Sequence, residues 1–261
     1  MDLGIDGDAA IVTASSRGLG RASAAALAAE SCDVVVNGRD ADAVEATATE
    51  LDDAHPGAVV AQPGDITEPD AIDALVDRAL DEFGGIDHLV TSAGGPPSGP
   101  FLDTTDEDWE EAFELLVMSV VRLVREAAPH LEDGGGTVVT ITSRTVKEAL
   151  DDLVLSNSVR MGVIGLEKTL SRELAPAVRC NAVLPGPHET SRIEELVESA
   201  VDRGDHGSYE EGLADWAEGV PLERIGEPGE LGDVVAWLSS ERSSYVNGVA
   251  VPVDGGAGRS N

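Results

Sequence analysis

Three observations predict a doubly wound α/β fold, a parallel sheet covered by helices on both faces. Short runs rich in Val, Ile and Ala alternate with longer helical patterns along the whole chain. The short runs are almost continuously apolar, as strands buried on both faces must be. The first of them enters a helical pattern through a glycine-bearing turn. The 261 residues suit one large α/β domain spanning 1–261, and no repeat or linker divides it.

Seven runs read as strands: AAIVT (9–13), DVVVN (33–37), AVVAQ (58–62), DHLVT (87–91), TVVTIT (137–142), VRCNAVL (178–184) and VAVPV (249–253). Helical patterns fill the gaps at 19–30, 40–53, 69–82, 105–130, 153–175 and 229–239. TEPD and GEPGE place Pro and acidic residues at the starts of two of these helices, where a missing N–H costs nothing and negative charge is favoured. The least regular stretch, 186–228, is charged, glycine-interrupted and follows a strand, which suits a substrate lid.

Charge narrows the choice of partners. Fifty acidic residues against 17 basic ones give a net charge of −33, and Lys147 and Lys168 are the only lysines. Such a chain has little to neutralise phosphates with, so a nucleic acid or an anionic membrane is not expected as partner. It should repel itself at low salt, and high salt would screen that repulsion. The acid-rich, lysine-poor composition resembles cytoplasmic proteins of salt-accumulating, halophilic organisms. Aromatics are only 3% of the chain, so the core is built from Ala, Val, Leu and Ile. Cys32 and Cys180 begin apolar runs and read as small buried hydrophobes, and no metal site is read from the sequence. No stretch reads as a signal peptide or a membrane span, so a cytoplasmic protein is expected.

The turn TASSRGLG (13–20) presents backbone N–H groups and a helix N-terminus to a phosphate. It is similar to the TGxxxGxG turn of the short-chain dehydrogenase/reductase family, with Ala14 for the first glycine. GDIT (64–67) follows the third strand, and TSAG (91–94) resembles the family's NNAG. TITS (140–143) ends the fifth strand, NAVLPGPHET (181–190) matches N-x-V-x-PG-x-x-x-T, and 221–256 resembles the family's closing segment. The matches run in order over essentially the whole chain, and the sequence flavour is that of 3-oxoacyl-(acyl-carrier-protein)-reductase-like members.

The resemblance implies a single Rossmann-type domain that binds a dinucleotide. Its residues would be Thr13, Ala14, Ser15, Ser16, Arg17, Gly18, Leu19 and Gly20 in the turn, Arg39 after the second strand, and Asp65 and Ile66 after the third. Ala93 and Gly94 after the fourth, with Pro185, Gly186 and Thr190 after the sixth, complete the set. NAD wants a carboxylate on its ribose hydroxyl, whereas NADP wants a cation on its ribose phosphate. Gly38 stands where NAD-type relatives carry an acid, and Arg39 and Arg17 flank that position. NADP(H) is therefore the expected cofactor. NAD(H) stays open through Asp40, which takes the ribose role if the turn is registered one residue on.

In the family a Tyr protonates the carbonyl oxygen, a Lys four residues on lowers its pKa, a Ser bonds the same oxygen, and an Asn holds a relay water. Here Ser143 occupies the serine position. Ser156 and Arg160 occupy those of the tyrosine and lysine, and Leu116 that of the asparagine. Tyr209 and Tyr245 are the only tyrosines, and neither has a lysine four residues on. A serine hydroxyl is a far weaker acid than a phenol, and arginine stays protonated. Arginine still places a cation near a developing oxyanion. The proton would come from water, from the substrate or from His188, which otherwise reads as a loop histidine.

The leading expectation is an NADP(H)-dependent oxidoreductase interconverting a small-molecule carbonyl and alcohol, with 3-oxoacyl-like substrates as one option. The alternatives are a catalytically impaired NADP(H)-binding sensor and an oligomeric scaffold. Relatives often assemble as dimers or tetramers through the long helices at 105–130 and 153–175, so a homo-oligomer is expected.

Overall fold

The computed structural model describes residues 2–259, apart from the side chains of Asp133, Arg192, Glu195, Leu196 and Ser199. Seven strands form one sheet: β1 (Ala9–Val12), β2 (Asp33–Gly38), β3 (Val59–Pro63), β4 (His88–Thr91), β5 (Gly136–Ile141), β6 (Val178–Pro185) and β7 (Ala250–Val253). Their order is β3-β2-β1-β4-β5-β6-β7, and every pairing is parallel. β1, β4 and β5 are buried along their whole length, which is why their sequences show no polar alternation.

Helices α1 (Gly18–Ala29), α2 (Ala41–Ala54), α3 (Pro69–Phe83), α4 (Asp106–Phe113), α5 (Ser119–Gly134), α6 (Val154–Glu173), α7 (Ser191–Arg203), α8 (Tyr209–Ala217) and α9 (Pro228–Ser239) connect and cover them. One face carries a core of Val12, Val34, Val36, Leu27 from α1 and Leu231 and Val235 from α9. The other carries Ile11, Val35, Leu89, Leu75 from α3 and Leu123 and Leu131 from α5. Cys32 and Cys180 are free and buried, one in each core.

Local chemistry sets most boundaries. The Asp40 carboxylate caps α2 by accepting the Ala43 N–H at 3.2 Å. Pro69 and Pro228 sit in the first turns of α3 and α9, and Thr105 with Asp108 forms a capping box at α4.

Two expectations are corrected. The single helix read over 105–130 is α4 and α5 joined by a π-helical turn, Glu114–Met118, and it continues through Pro129 to Gly134. A π turn adds a residue without altering the apolar periodicity enough to be seen in sequence. The segment 186–228, read as irregular, holds α7 and α8. They share a satellite cluster of Ile193, Val197 and Ile225 with Tyr209 and Leu213. Their glycines and dense charge hid the period.

The strand order reverses between β1 and β4: the chain runs outward from β1 to β3, then returns to the other side of β1. A doubly wound sheet opens its ligand crevice at this switch, at the carboxyl ends of the strands.

Candidate active site

The β1–α1 turn lies at that crevice. Ala14 is in the left-handed region at φ 47°, where a glycine would be unstrained. A Cβ on Gly20 would lie 2.4 Å from the Ala14 carbonyl oxygen, so only glycine lets the helix start pack against the turn. α1 has no side-chain N-cap, so its first N–H groups are not spent on a side chain. This arrangement fits a dinucleotide phosphate.

A network across the strand ends holds the turn. The Thr13 hydroxyl donates to the Ser92 carbonyl at 2.7 Å and accepts the Ser92 N–H at 2.8 Å, joining β1 to β4. The Ser15 hydroxyl donates to the Val12 carbonyl at 2.6 Å and accepts the Asn37 N–H at 2.9 Å. Buried Asn37 accepts the Ala14 N–H at 3.4 Å and donates to the carbonyls of Gln62 and Gly64 at 3.0 and 3.2 Å. One amide thus ties the ends of three strands. Asn37 is missing from the sequence-derived site. Its signal was the polar residue closing the apolar run DVVVN. Ser15, expected at the cofactor, is fully buried and holds the turn's shape.

The residues expected to meet the cofactor ribose follow β2. A Cβ on Gly38 would meet Val44 Cγ2 at 3.0 Å and Ser16 Oγ at 3.1 Å, so a carboxylate side chain does not fit there without movement. Asp40, the residue through which NAD(H) stayed open, spends its carboxylate on capping α2. Arg17 and Arg39 are both exposed beside this closed position. Asp65 Oδ1 accepts the Thr67 N–H at 3.0 Å and its hydroxyl at 2.8 Å, shaping the turn after β3, while Ile66 is buried. After β6, Gly186 packs against Asp254, and the Thr190 methyl would contact a Cβ on Gly18 at 3.7 Å. The start of the 186–228 segment therefore lies against the β1–α1 turn.

The residues expected to react, Ser143, Ser156 and Arg160, come together after β4 and β5. Ser143 Oγ accepts the Thr145 N–H at 3.2 Å, and the Thr145 hydroxyl is 3.2 Å from Ser156 Oγ. Thr145, which sequence reasoning passed over, thus links the two serines. Arg160, one turn beyond Ser156 on α6, is 7% exposed. Its Nη1 donates to the Thr142 carbonyl at 3.3 Å and its Nη2 to the Gly94 carbonyl at 3.4 Å, bringing Gly94 and α6 together. Burial pulls its pKa down to about 10, so it remains a cation at neutral pH. Leu116 is buried in the π turn.

His188 does not approach this group through any hydrogen bond. Its Nδ1 donates to the Gly186 carbonyl at 3.0 Å, and its ring lies where a Cβ on Gly226 would come within 2.8 Å. Burial lowers its pKa, keeping it neutral. The group as a whole supplies hydroxyls and a fixed cation, which can polarise a carbonyl, and no phenol.

Residues 13–258 match the family model described as enoyl-(acyl carrier protein) reductase. The chain is 31% identical to the 2-dehydro-3-deoxy-D-gluconate 5-dehydrogenase of Escherichia coli over 97% of its own length and 96% of that protein. It is 27% identical to the 3-oxoacyl-(acyl-carrier-protein) reductase of Thermotoga maritima over 97% of its length and 98% of that protein. Its structure matches the L-sorbose reductase of Gluconobacter frateurii, solved with NADPH and L-sorbose, at a TM-score of 0.95, 32% identity and 100% coverage of both chains. No helix among the described residues is long and apolar enough to cross a membrane.

Proposed function

This chain belongs to the short-chain dehydrogenase/reductase family, and from that premise we propose that it is an NADP(H)-dependent oxidoreductase interconverting a ketone and a secondary alcohol. The observation that carries the reading is the grouping of Ser143, Thr145, Ser156 and Arg160 at the mouth of the crevice. Arg17 and Arg39, beside a Gly38 position with no room for a carboxylate, support NADP(H) over NAD(H).

When bound, the nicotinamide supplies the hydride. Ser143 orients and polarises the carbonyl oxygen, and Thr145 fixes the Ser143 and Ser156 hydroxyls relative to each other. Arg160 stabilises negative charge on that oxygen without giving up a proton. The proton then comes from water, because neither serine is acidic enough and His188 is held neutral and bonded to Gly186. The relatives named for sugar-acid, ketose and 3-oxoacyl chemistry share a ketone/alcohol pair, which is the proposed substrate class; 3-oxoacyl thioesters and ketoses are the first to assay.

The lid role of 186–228 is supported by the position of Thr190 beside Gly18 of the β1–α1 turn, where a Cβ would meet its methyl. Assembly through the long helices is supported by Phe113 on α4 and Met161 on α6, both large, apolar and exposed. The charge of −33 supports a cytoplasmic setting of high salt.

The replacement of the acidic pair by Ser156 and Arg160 favours a second reading, a protein that binds NADP(H) without turnover. Oxidation of NADPH in molar salt against a panel of ketones and 3-oxo thioesters separates the two. Binding without oxidation of NADPH would favour the sensor, and no binding at millimolar nucleotide would sink both.

A further inference from the structure

Two buried charged side chains on α6 have no ion-pair partner among the described residues. Arg160 bonds only to carbonyl oxygens, and its Nε–H is without a partner there. Glu167 lies two turns further along the same helix face and is 3% exposed. Its Oε1 accepts the Thr140 hydroxyl, and its Oε2 is without a partner among the described residues. A buried group left unsatisfied is costly, and two on one face call for a shared explanation.

A small cavity of about 10 Å³ lies beside the first of them. Arg160, Thr91 and Thr140 line it, with Leu116 of the π turn as part of its apolar wall. The volume suits a single water, which needs two to four polar partners. Arg160, whose Nε–H is without a partner among the described residues, and the hydroxyl-bearing Thr91 and Thr140 can supply them. Thr91 donates to Thr140 at 2.9 Å, and Thr140 reaches Glu167. A water held there would complete a polar path from Arg160 through the two threonines to Glu167.

We propose that Glu167 is a positioning residue for Arg160, joined to it by this water and by Thr91 and Thr140, and that its charge decides whether Arg160 presents an unbalanced cation to the crevice. The proposal rests on the reading of Arg160 as the cation of the reaction site. Burial pushes the Glu167 carboxyl up to about 8, so its charge changes near neutrality. The titratable group that acts on it is Cys180 on β6, whose thiol is pushed up to about 12 and stays protonated, while Arg160 lies two turns back on the same helix face. From β5 it meets the Thr140 hydroxyl, whose hydrogen bond favours the ionised form. With Glu167 neutral, the Arg160 charge acts on a developing oxyanion; with Glu167 ionised, that charge is balanced.

The test joins a pH profile with infrared titration of the apoprotein, both in molar salt. For ketone reduction, wild-type kcat/KM falls on the order of tenfold as pH rises through about 8. Glu167→Gln, which mimics the neutral form, lacks that inflection. In the infrared, a buried protonated carboxyl band titrates near the same pH in the wild type and is absent from Glu167→Gln. Arg160→Met raises its midpoint by about one pH unit, because a neighbouring cation no longer favours the carboxylate. Thr140→Val raises it as well while leaving Glu167 in place, and so serves if another variant fails to fold. Superimposable pH profiles, or midpoints unmoved by both Arg160→Met and Thr140→Val, overturn the proposal. A wild type that neither binds nor oxidises NADPH sinks the oxidoreductase reading instead, and the infrared midpoints still decide whether Arg160 and Glu167 are connected.

Discussion

The two ends of the crevice treat their buried polar groups in opposite ways. At the nucleotide end, Thr13, Ser15 and Asn37 are buried, and each is bonded across strand ends. At the reacting end, α6 buries a cation and a carboxyl, each with an atom left without a partner among the described residues. A satisfied network rigidifies, while a half-satisfied one is costly. The first end is built to hold a shape. The second holds charged groups that are only partly satisfied.

The largest expected effect bears on the second end. Glu167 has its folded pKa raised from 4.5 to about 8, so the folded state keeps a proton that the unfolded chain releases. Its contribution to stability is present below about 4.5 and is lost as pH rises to about 8, by at most about 1.4 kcal/mol per pH unit. Urea unfolding of Glu167→Gln should therefore gain about 3 kcal/mol on the wild type between pH 5 and pH 8. A pH-independent difference would mean that Glu167 does not titrate in this window.

The next effect tests the first end. Asn37→Leu removes one amide that serves three strand ends and should cost about 2 kcal/mol, read by thermal unfolding in molar salt. The same variant should weaken NADPH binding, because the turn loses the Ala14 contact. An unchanged melting temperature would mean that the network is dispensable.

Arg39→Asp is a smaller, selective change. It should weaken NADPH about tenfold relative to NADH by removing a cation from the ribose phosphate. Equal loss of both nucleotides in a fluorescence titration would refute the phosphate role. The smallest effect on stability, and the sharpest contrast, is Arg160→Met. Exchanging a buried, partly satisfied charge for an apolar chain of similar length should leave stability within about 1 kcal/mol of the wild type or raise it. Reduction should nonetheless be lost, as steady-state assays would read; activity retained in a stable protein would remove Arg160 from the mechanism.

Much of this contrast was legible before any coordinates. The continuous apolar runs marked strands covered on both faces, and TASSRGLG marked the turn between the first strand and the first helix, where a phosphate was expected. The family resemblance set Ser143, Ser156 and Arg160 as the expected reacting group. Other features were not legible. Asn37 looked like the last residue of a strand, Thr145 like a loop residue, and Glu167 like one more acid on a helix in an acidic chain. Nothing local distinguishes a buried Glu from the many exposed ones, since which helix face is covered depends on elements far away in sequence. α7 and α8 escaped notice because their apolar residues pack mainly on each other, giving each helix only a short, interrupted stripe.

The sequence by itself determined the sheet, its helices and the residues lining the turn, because strand and helix periods, caps and glycine requirements act over a few neighbouring residues. Tertiary structure alone decided that Asn37 ties three strand ends, that Gly38 has no room for a carboxylate, and that Arg160 and Glu167 are both buried on α6. Those outcomes depend on contacts between residues tens of positions apart, and on the loss of water around them, which sets both packing and charge.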